Sequence, residues 1–238
     1  MNFNTDKISR AGYYIGIVMV VILLTSALSK YILPESLWLA IFTPLYGADY
    51  VAAQLVKFEQ NAGQEFIHRI FGSLYLIVGI LNFKTTLRVK YRSLHRSIGK
   101  FFIVTSVLVG LSGVILSIVM PFSGIMETIP SVIFGTFLVV AAVLGLVFAR
   151  KGQIKRHQKW MIRCFAVGLG SASVRLLHPM LINIFTDVPQ ETIFVIVLWA
   201  SWGLHLGAVE LFFKLKREGK GKSRALAISK DDNMLDAA

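Results

Sequence analysis

Six apolar runs, separated by polar stretches, set the frame of this chain. They cover about 11–33, 65–83, 100–120, 130–149, 160–183 and 192–214. Each is near the roughly 20 residues an α-helix needs to cross the hydrocarbon of a bilayer. The pattern predicts an all-α polytopic membrane helical bundle of six transmembrane helices, one domain over 1–215. The first run also invites a signal-peptide reading, but it exceeds a usual h-region and its cleavage signature is poor, so it counts as an uncleaved span. Residues 34–64 mix Pro34, Trp38, Pro44, Tyr46 and Tyr50 with Glu35, Asp49 and Glu59. They predict an extracytoplasmic connection with one or two short interfacial helices. The tail 216–238 is basic, then acidic, with no apolar face, which predicts a disordered cytoplasmic segment.

Charge sets the orientation. Of 25 lysines and arginines, 21 fall in the loops 84–100 and 150–163, in 214–224, and at Lys7, Arg10 and Lys230. Of 13 acids, seven fall on the opposite side. The positive-inside rule then puts both termini in the cytoplasm, with the chain in a plasma (inner) membrane. The net charge of +12 is therefore a topology signal, with anionic lipid contact at the basic loops, and not a sign of nucleic-acid binding. A mean hydropathy of +0.66 excludes an ordinary soluble domain. The only cysteine, Cys164, lies inside a span; no intramolecular disulfide can form, and it reads as an inert buried thiol.

The fifth span carries the most chemistry. Steps of three and four put His157, Met161, Cys164, Gly168, Ser171, Arg175 and His178 on one helical face. Its two histidines are roughly 31 Å apart, close to the hydrocarbon thickness. All five histidines lie in or beside spans: His68 and His178 near the outer surface, His95 and His157 near the inner one, and His205 on the sixth span. Imidazole pairs from facing helices are the usual axial ligands of membrane-embedded haem. The segregation thus predicts haem b, held outside by His68 and His178 and inside by two of His95, His157 and His205. Its role would be electron transfer between a quinone-like donor and a redox partner. The bland alternative makes the histidines hydrogen-bonded caps and the small residues points of helix approach.

Arg175 is the costliest residue, since an arginine at a span's centre costs roughly 2.5–3.5 kcal/mol to insert. No acid within a span matches its depth. Glu65 or Glu59 folding in, an anionic ligand, or snorkelling to headgroups would each satisfy it. The anionic ligand defines a second function class, a transporter or lipid/anion-binding protein; a non-catalytic assembly subunit is a third. Arg163 and Glu210 share a depth near the inner ends of spans five and six and predict a structural ion pair. Trp199 and Trp202 read as packing or anchoring residues. No Walker loop, His-Glu-x-x-His helix or nucleophile elbow occurs, so neither nucleotide nor soluble-type hydrolase chemistry is expected.

The motif Ser93-Leu94-His95-Arg96-x-x-Gly99, then His157-x-x-Trp160-Met161-x-Arg163, then Arg175 resembles the bacterial predicted membrane proteins of the domain-of-unknown-function family 2306, over roughly 60–215. The resemblance implies a multi-span architecture and marks His68, His95, His157, Trp160, Arg163 and Arg175; it implies no reaction. Ser93-Leu94-His95 through Gly99 is more loosely similar to a helix start in two-haem transmembrane cytochromes b. The first span here lacks a histidine, however, and an extra span separates His95 from His157.

Overall fold

The computed structural model describes the backbone of residues 5–235 and the side chains of 10–219. It is helical throughout: α1 (Thr5–Ile32), α2 (Glu35–Tyr46), α3 (Ala48–Gln60), α4 (Ala62–Phe83), α5 (Thr85–Lys90), α6 (Arg92–Val119), α7 (Ile125–Arg150), α8 (Ile154–Ile184) and α9 (Gln190–Leu235). Six of these hold a stretch long and apolar enough to cross a bilayer: α1, α4, α6, α7, α8 and α9. With six spans, the start of α1 and the end of the span in α9 lie at the same end, beside α5 and the α7–α8 turn. We call this the basic end. The short helices α2 and α3 form a cap at the other.

Neighbours in sequence are mostly neighbours in space. α4, α6, α7 and α8 pack in that order, α1 covers the seam between α4 and α8, and α9 lies against α7 and α8. Large apolar side chains such as Val18, Ile115, Ile118, Leu204 and Leu211 point outward. For a soluble fold that would be a liability; in a bilayer it is the surface lipid tails require.

The helices run past the apolar runs that predict them. The loop expected over 84–100 is largely helical: α5 takes 85–90 and α6 begins at Arg92. The loop expected over 150–163 shrinks to residues 151–153. Hydropathy marks only the hydrocarbon-facing length of a helix. Lysine, arginine, glutamine and leucine are good helix formers, and they carry the backbone on into the interface. Gly152, at φ 69°, supplies the left-handed residue that ends α7. The tail expected to be disordered likewise continues α9 as far as Leu235, since adding turns to an existing helix costs far less than starting one. Residues 236–238 lie outside the described residues.

Packing differs between the two halves. Toward the basic end a cluster of rings fills the bundle: Tyr75 stacks on Phe102 at 5.1 Å, and Phe165 lies 5.9 Å from Tyr75 and 5.1 Å from Phe83. Gly79 permits this approach; a Cβ there would stand 2.3 Å from the Phe165 ring. The Tyr75 hydroxyl donates to the Cys164 carbonyl at 2.8 Å, and Cys164 is fully buried as an inert thiol should be. Toward the cap end the ring of helices stays open inside.

Candidate functional site: a cavity beneath the cap

The opening is a cavity of ≈ 300 Å³ in the half of the bundle nearer the cap. Its polar walls are His68, Arg69 and Ser73 of α4, Ser117 of α6, Glu127 and Ser131 of α7, and Ser171 and Arg175 of α8. The floor is apolar: Tyr75, Leu76, Val109, Phe134, Leu138, Val167 and Trp202. Beyond that floor the Tyr75–Phe102–Phe165 cluster closes the way to the basic end.

Most charged groups around the cavity are satisfied by the protein itself. Arg69 pairs with Glu65 one turn earlier, donates to the Ala27 carbonyl at 2.7 Å and sits over the Phe58 ring. Glu65 also accepts from Tyr31. Glu127 accepts from the Phe122 and Ser123 amides at 2.6 and 2.9 Å, the reach-back contact of an acid in a helix's first turn. Lys57 donates to the Pro121 carbonyl. Arg175 is the exception. Among the described residues no hydrogen bond, ion pair or ring contact engages it, yet it is exposed to the cavity. Its charge acts on His68, Arg69, His178, Tyr46 and Tyr50, all of them groups of the cap half. Of the two acids the sequence offers, Glu65 and Glu59, Glu65 is already taken by Arg69, and no ion pair joins Glu59 to Arg175 among the described residues.

A second orphan lies deeper. Ser73 is 8% exposed and its hydroxyl has no partner, although it borders the cavity. Buried hydroxyls are normally bonded, often to their own helix backbone. Ser112 shows that pattern, bonding to the Val109 carbonyl and to His68 Nδ1 at 3.0 Å. Ser73 does not.

The cap is built from a column of rings. Trp38 stacks on Phe42 at 4.6 Å, Phe42 on Tyr46 at 6.2 Å, and Tyr46 on Tyr50 at 5.3 Å. Gly47, at φ 87°, makes the break between α2 and α3 without disturbing this order. Gln190 and Asn183 donate to the Tyr46 and Leu45 carbonyls, tying the end of α2 to α9 and α8. The column ends on His178, 2% exposed and ringed by Tyr46, Tyr50, Phe122 and Phe194 at 5.1–6.3 Å. Burial pushes the hydroxyl pKa of Tyr46 and Tyr50 up, so both stay protonated at neutral pH.

A family model described as predicted membrane protein (DUF2306) matches residues 65–213, which hold α4, α6–α8 and most of α9's span. The chain belongs to that family. The matched region contains Arg175, all five histidines and nearly all of the cavity wall; only α1 and the cap lie before it. No curated protein and no solved structure matches the chain.

Within the family region, the residues singled out from sequence fall into three groups. His68 and His178 both lie within range of Arg175, His68 lining the cavity and His178 packed into the ring cage. His95 and His157 stand near one another at the basic end, with His157 Nδ1 2.8 Å from the Gly145 carbonyl and His95 Nδ1 buried without a partner. His205 turns back on its own helix, Nδ1 2.7 Å from the Ser201 carbonyl. Among the described residues there is no group of three or more His, Cys, Asp or Glu placed to hold a metal ion. Arg163 meets Glu210 in a two-pronged pair, at 2.6 and 2.9 Å, and lies over Trp160 and Phe213. Trp199 and Trp202 pack on Phe134.

Sequence reading missed the ring column and Ser73. The column did have a signal, aromatic residues at a constant spacing of four (38, 42, 46, 50). Ser73 had none, since an orphaned hydroxyl is visible only once its neighbours are placed.

Proposed function

We propose that this chain is an anion-binding membrane protein that receives a carboxylate or phosphate group at Arg175, in a cavity reached from the cap side. One observation carries the reading: a guanidinium on a membrane-spanning helix that borders a cavity and makes no ion pair, while Glu65 is paired with Arg69 and Glu127, on the same cavity, is turned to the Phe122 and Ser123 amides. Leaving such a group unmatched is expensive, and guanidinium is the side chain best shaped to bind carboxylate or phosphate through two parallel bonds. His68 and the hydroxyls of Ser117, Ser131 and Ser171 add polar groups around the same space. By the positive-inside rule the cap faces out of the cell. The cavity is sealed toward the basic end, which suits a receptor or carrier in its outward-facing state.

Titration calorimetry on the purified chain tests this. Inorganic phosphate or acetate added to protein in nanodiscs of neutral lipid should bind, and Arg175→Gln should abolish the heat. Binding by wild type only in nanodiscs with phosphatidylglycerol would assign the anion to a lipid headgroup. Equal behaviour of wild type and R175Q under every condition rejects the reading.

Haem b, with electron transfer between a quinone-like donor and a redox partner, is a second reading with an observation behind it. His95 and His157 both stand at the basic end, within electrostatic reach of each other, and the Gly145 carbonyl beside His157 Nδ1 leaves Nε2 free, the orientation of a ligating histidine. The cap-end pair fits less well, since four rings fill the space around His178. A Soret band after haem-sufficient expression, lost in His95→Ala and His157→Ala, would support this reading; folded protein with no band rejects it.

A further inference from the structure

We infer that the anion received at Arg175 is the head of a single-chain amphiphile whose apolar tail occupies the floor of the same cavity. This rests on the anion-binding reading and narrows it. The cavity is polarised along the bundle axis. At the cap side it presents Arg175, Arg69, His68, Glu127 and three serines; toward the middle of the bundle it presents Leu76, Val109, Phe134, Leu138, Val167 and Trp202. From Arg175 to Val167 on α8 is eight residues, roughly 12 Å of depth. A small inorganic anion would fill only the mouth, leaving an apolar floor with nothing against it.

Ser73 gives the intermediate point. On α4 it stands five residues deeper than His68, roughly 8 Å below the level of the head. Its unpartnered hydroxyl is enclosed by the protein, so an ester, amide or hydroxyl along the chain reaches it once the Ser73 side chain turns toward the open volume. The size limits the occupant. A volume of ≈ 300 Å³ is at the lower end of ligand cavities, enough for one chain and too small for a two-chain phospholipid inside the bundle. The wall glycines differ: at Gly110, Gly113, Gly135 and Gly168 a Cβ would meet a neighbouring side chain at 2.4–3.2 Å, which marks close packing, and Gly72 is the one that gives onto space. A side chain at Gly72 would meet only Val109 Cγ2 at 3.5 Å, so the room beside it is open volume and not helix contact.

The test is a chain-length series of carboxylates (acetate, butyrate, octanoate and dodecanoate) titrated into the purified chain at fixed detergent concentration. Binding is read by tryptophan fluorescence, since Trp202 borders the floor. The expected result is an affinity that climbs by up to about fourfold for each methylene buried and levels off once the chain exceeds the cavity. In Arg175→Gln the series should be weaker throughout. In Gly72→Leu, which fills the cavity without a clash, acetate should bind as in wild type while the gain with length disappears. If acetate binds as tightly as dodecanoate, the amphiphile is wrong and the anion site stands. Should dodecanoate bind wild type, R175Q and G72L equally, uptake is by the micelle and the inference falls. If no carboxylate binds at any length, both readings fall. Should R175Q not fold, the contrast between acetate and dodecanoate in G72L decides the matter alone.

Discussion

Arg163 and Arg175 stand on one helix, twelve residues apart, and live in opposite surroundings. Arg163 is held by both oxygens of Glu210 and lies over two aromatic rings. Arg175 borders a cavity and has no ion pair among the described residues. The same division runs through the bundle: rings interdigitate at the basic end, while polar walls enclose open space beneath the cap. A membrane helix tolerates a charge in either way, by supplying the partner or by leaving room for one. The first makes structure. The second makes a site.

Glycine substitutions should show the division most strongly. Gly79→Leu pushes a side chain into the Phe165 and Phe102 rings, whose nearest atoms stand 2.3–2.9 Å from a Cβ there. Overpacking of this kind costs up to about 3 kcal/mol, or roughly 6–12 °C in melting temperature for a chain of this size. Gly72→Leu, seven residues earlier on the same helix, should change the melting temperature by no more than about 2 °C, because it grows into the cavity. Equal losses in the two variants would mean that the cap half is as tightly filled as the basic half. Next in size, Tyr75→Phe removes the bond to the Cys164 carbonyl beneath the cavity floor and should cost about 1 kcal/mol in thermal or denaturant unfolding. No loss would mean that this hydroxyl does not hold the floor in place.

The arginines give a smaller and more pointed contrast. Arg163→Gln breaks an ion pair whose carboxylate is 54% exposed, so the loss should be at most about 1 kcal/mol. Arg175→Gln breaks no contact within the protein and should leave stability unchanged or raise it slightly. A drop as large as that of R163Q would reveal a counter-charge for Arg175 inside the protein and remove the argument for an outside ligand.

Much of the frame was legible from hydrophobic pattern alone, because a bilayer imposes its thickness on every span. The Arg163–Glu210 pair could be read too, since both lie at a countable distance from the same end of adjacent spans. The stripe from His157 to His178 is one face, but its meaning changes along its length, and that change was hidden. Met161 and Cys164 are packed, Arg175 borders a cavity, and His178 is caged by rings from α2, α3, α9 and the α6–α7 turn. Periodicity says which residues share a face and nothing of what stands opposite. The partner of Arg175 could not be excluded from sequence for the same reason: only placement shows Glu65 committed to Arg69 and Tyr31. Helix ends were misjudged where good helix formers carry the chain beyond the hydrocarbon.

The smallest effect concerns the cap. Burial raises the pKa of Tyr46 and Tyr50, and the nearby positive charge of Arg175 acts against that rise. In the unfolded chain both phenols ionise near pH 10. Their folded values are higher, so the protonated form is the one the cap favours. Its contribution to stability is complete below about pH 10 and is lost as the pH climbs from there toward the folded values. A tyrosinate absorbance titration should therefore include two late-ionising phenols that Tyr46→Phe and Tyr50→Phe remove one at a time. Arg175→Gln takes away the opposing charge and should delay both still further, with no counterpart in R163Q. That shift would come from the unpaired guanidinium alone, and it locates the charge beneath the two phenols without any ligand. If R175Q leaves the late titration where it was, Arg175 points away from the cap, and the contrast between the two arginines is one of exposure to lipid and not of a vacant partner.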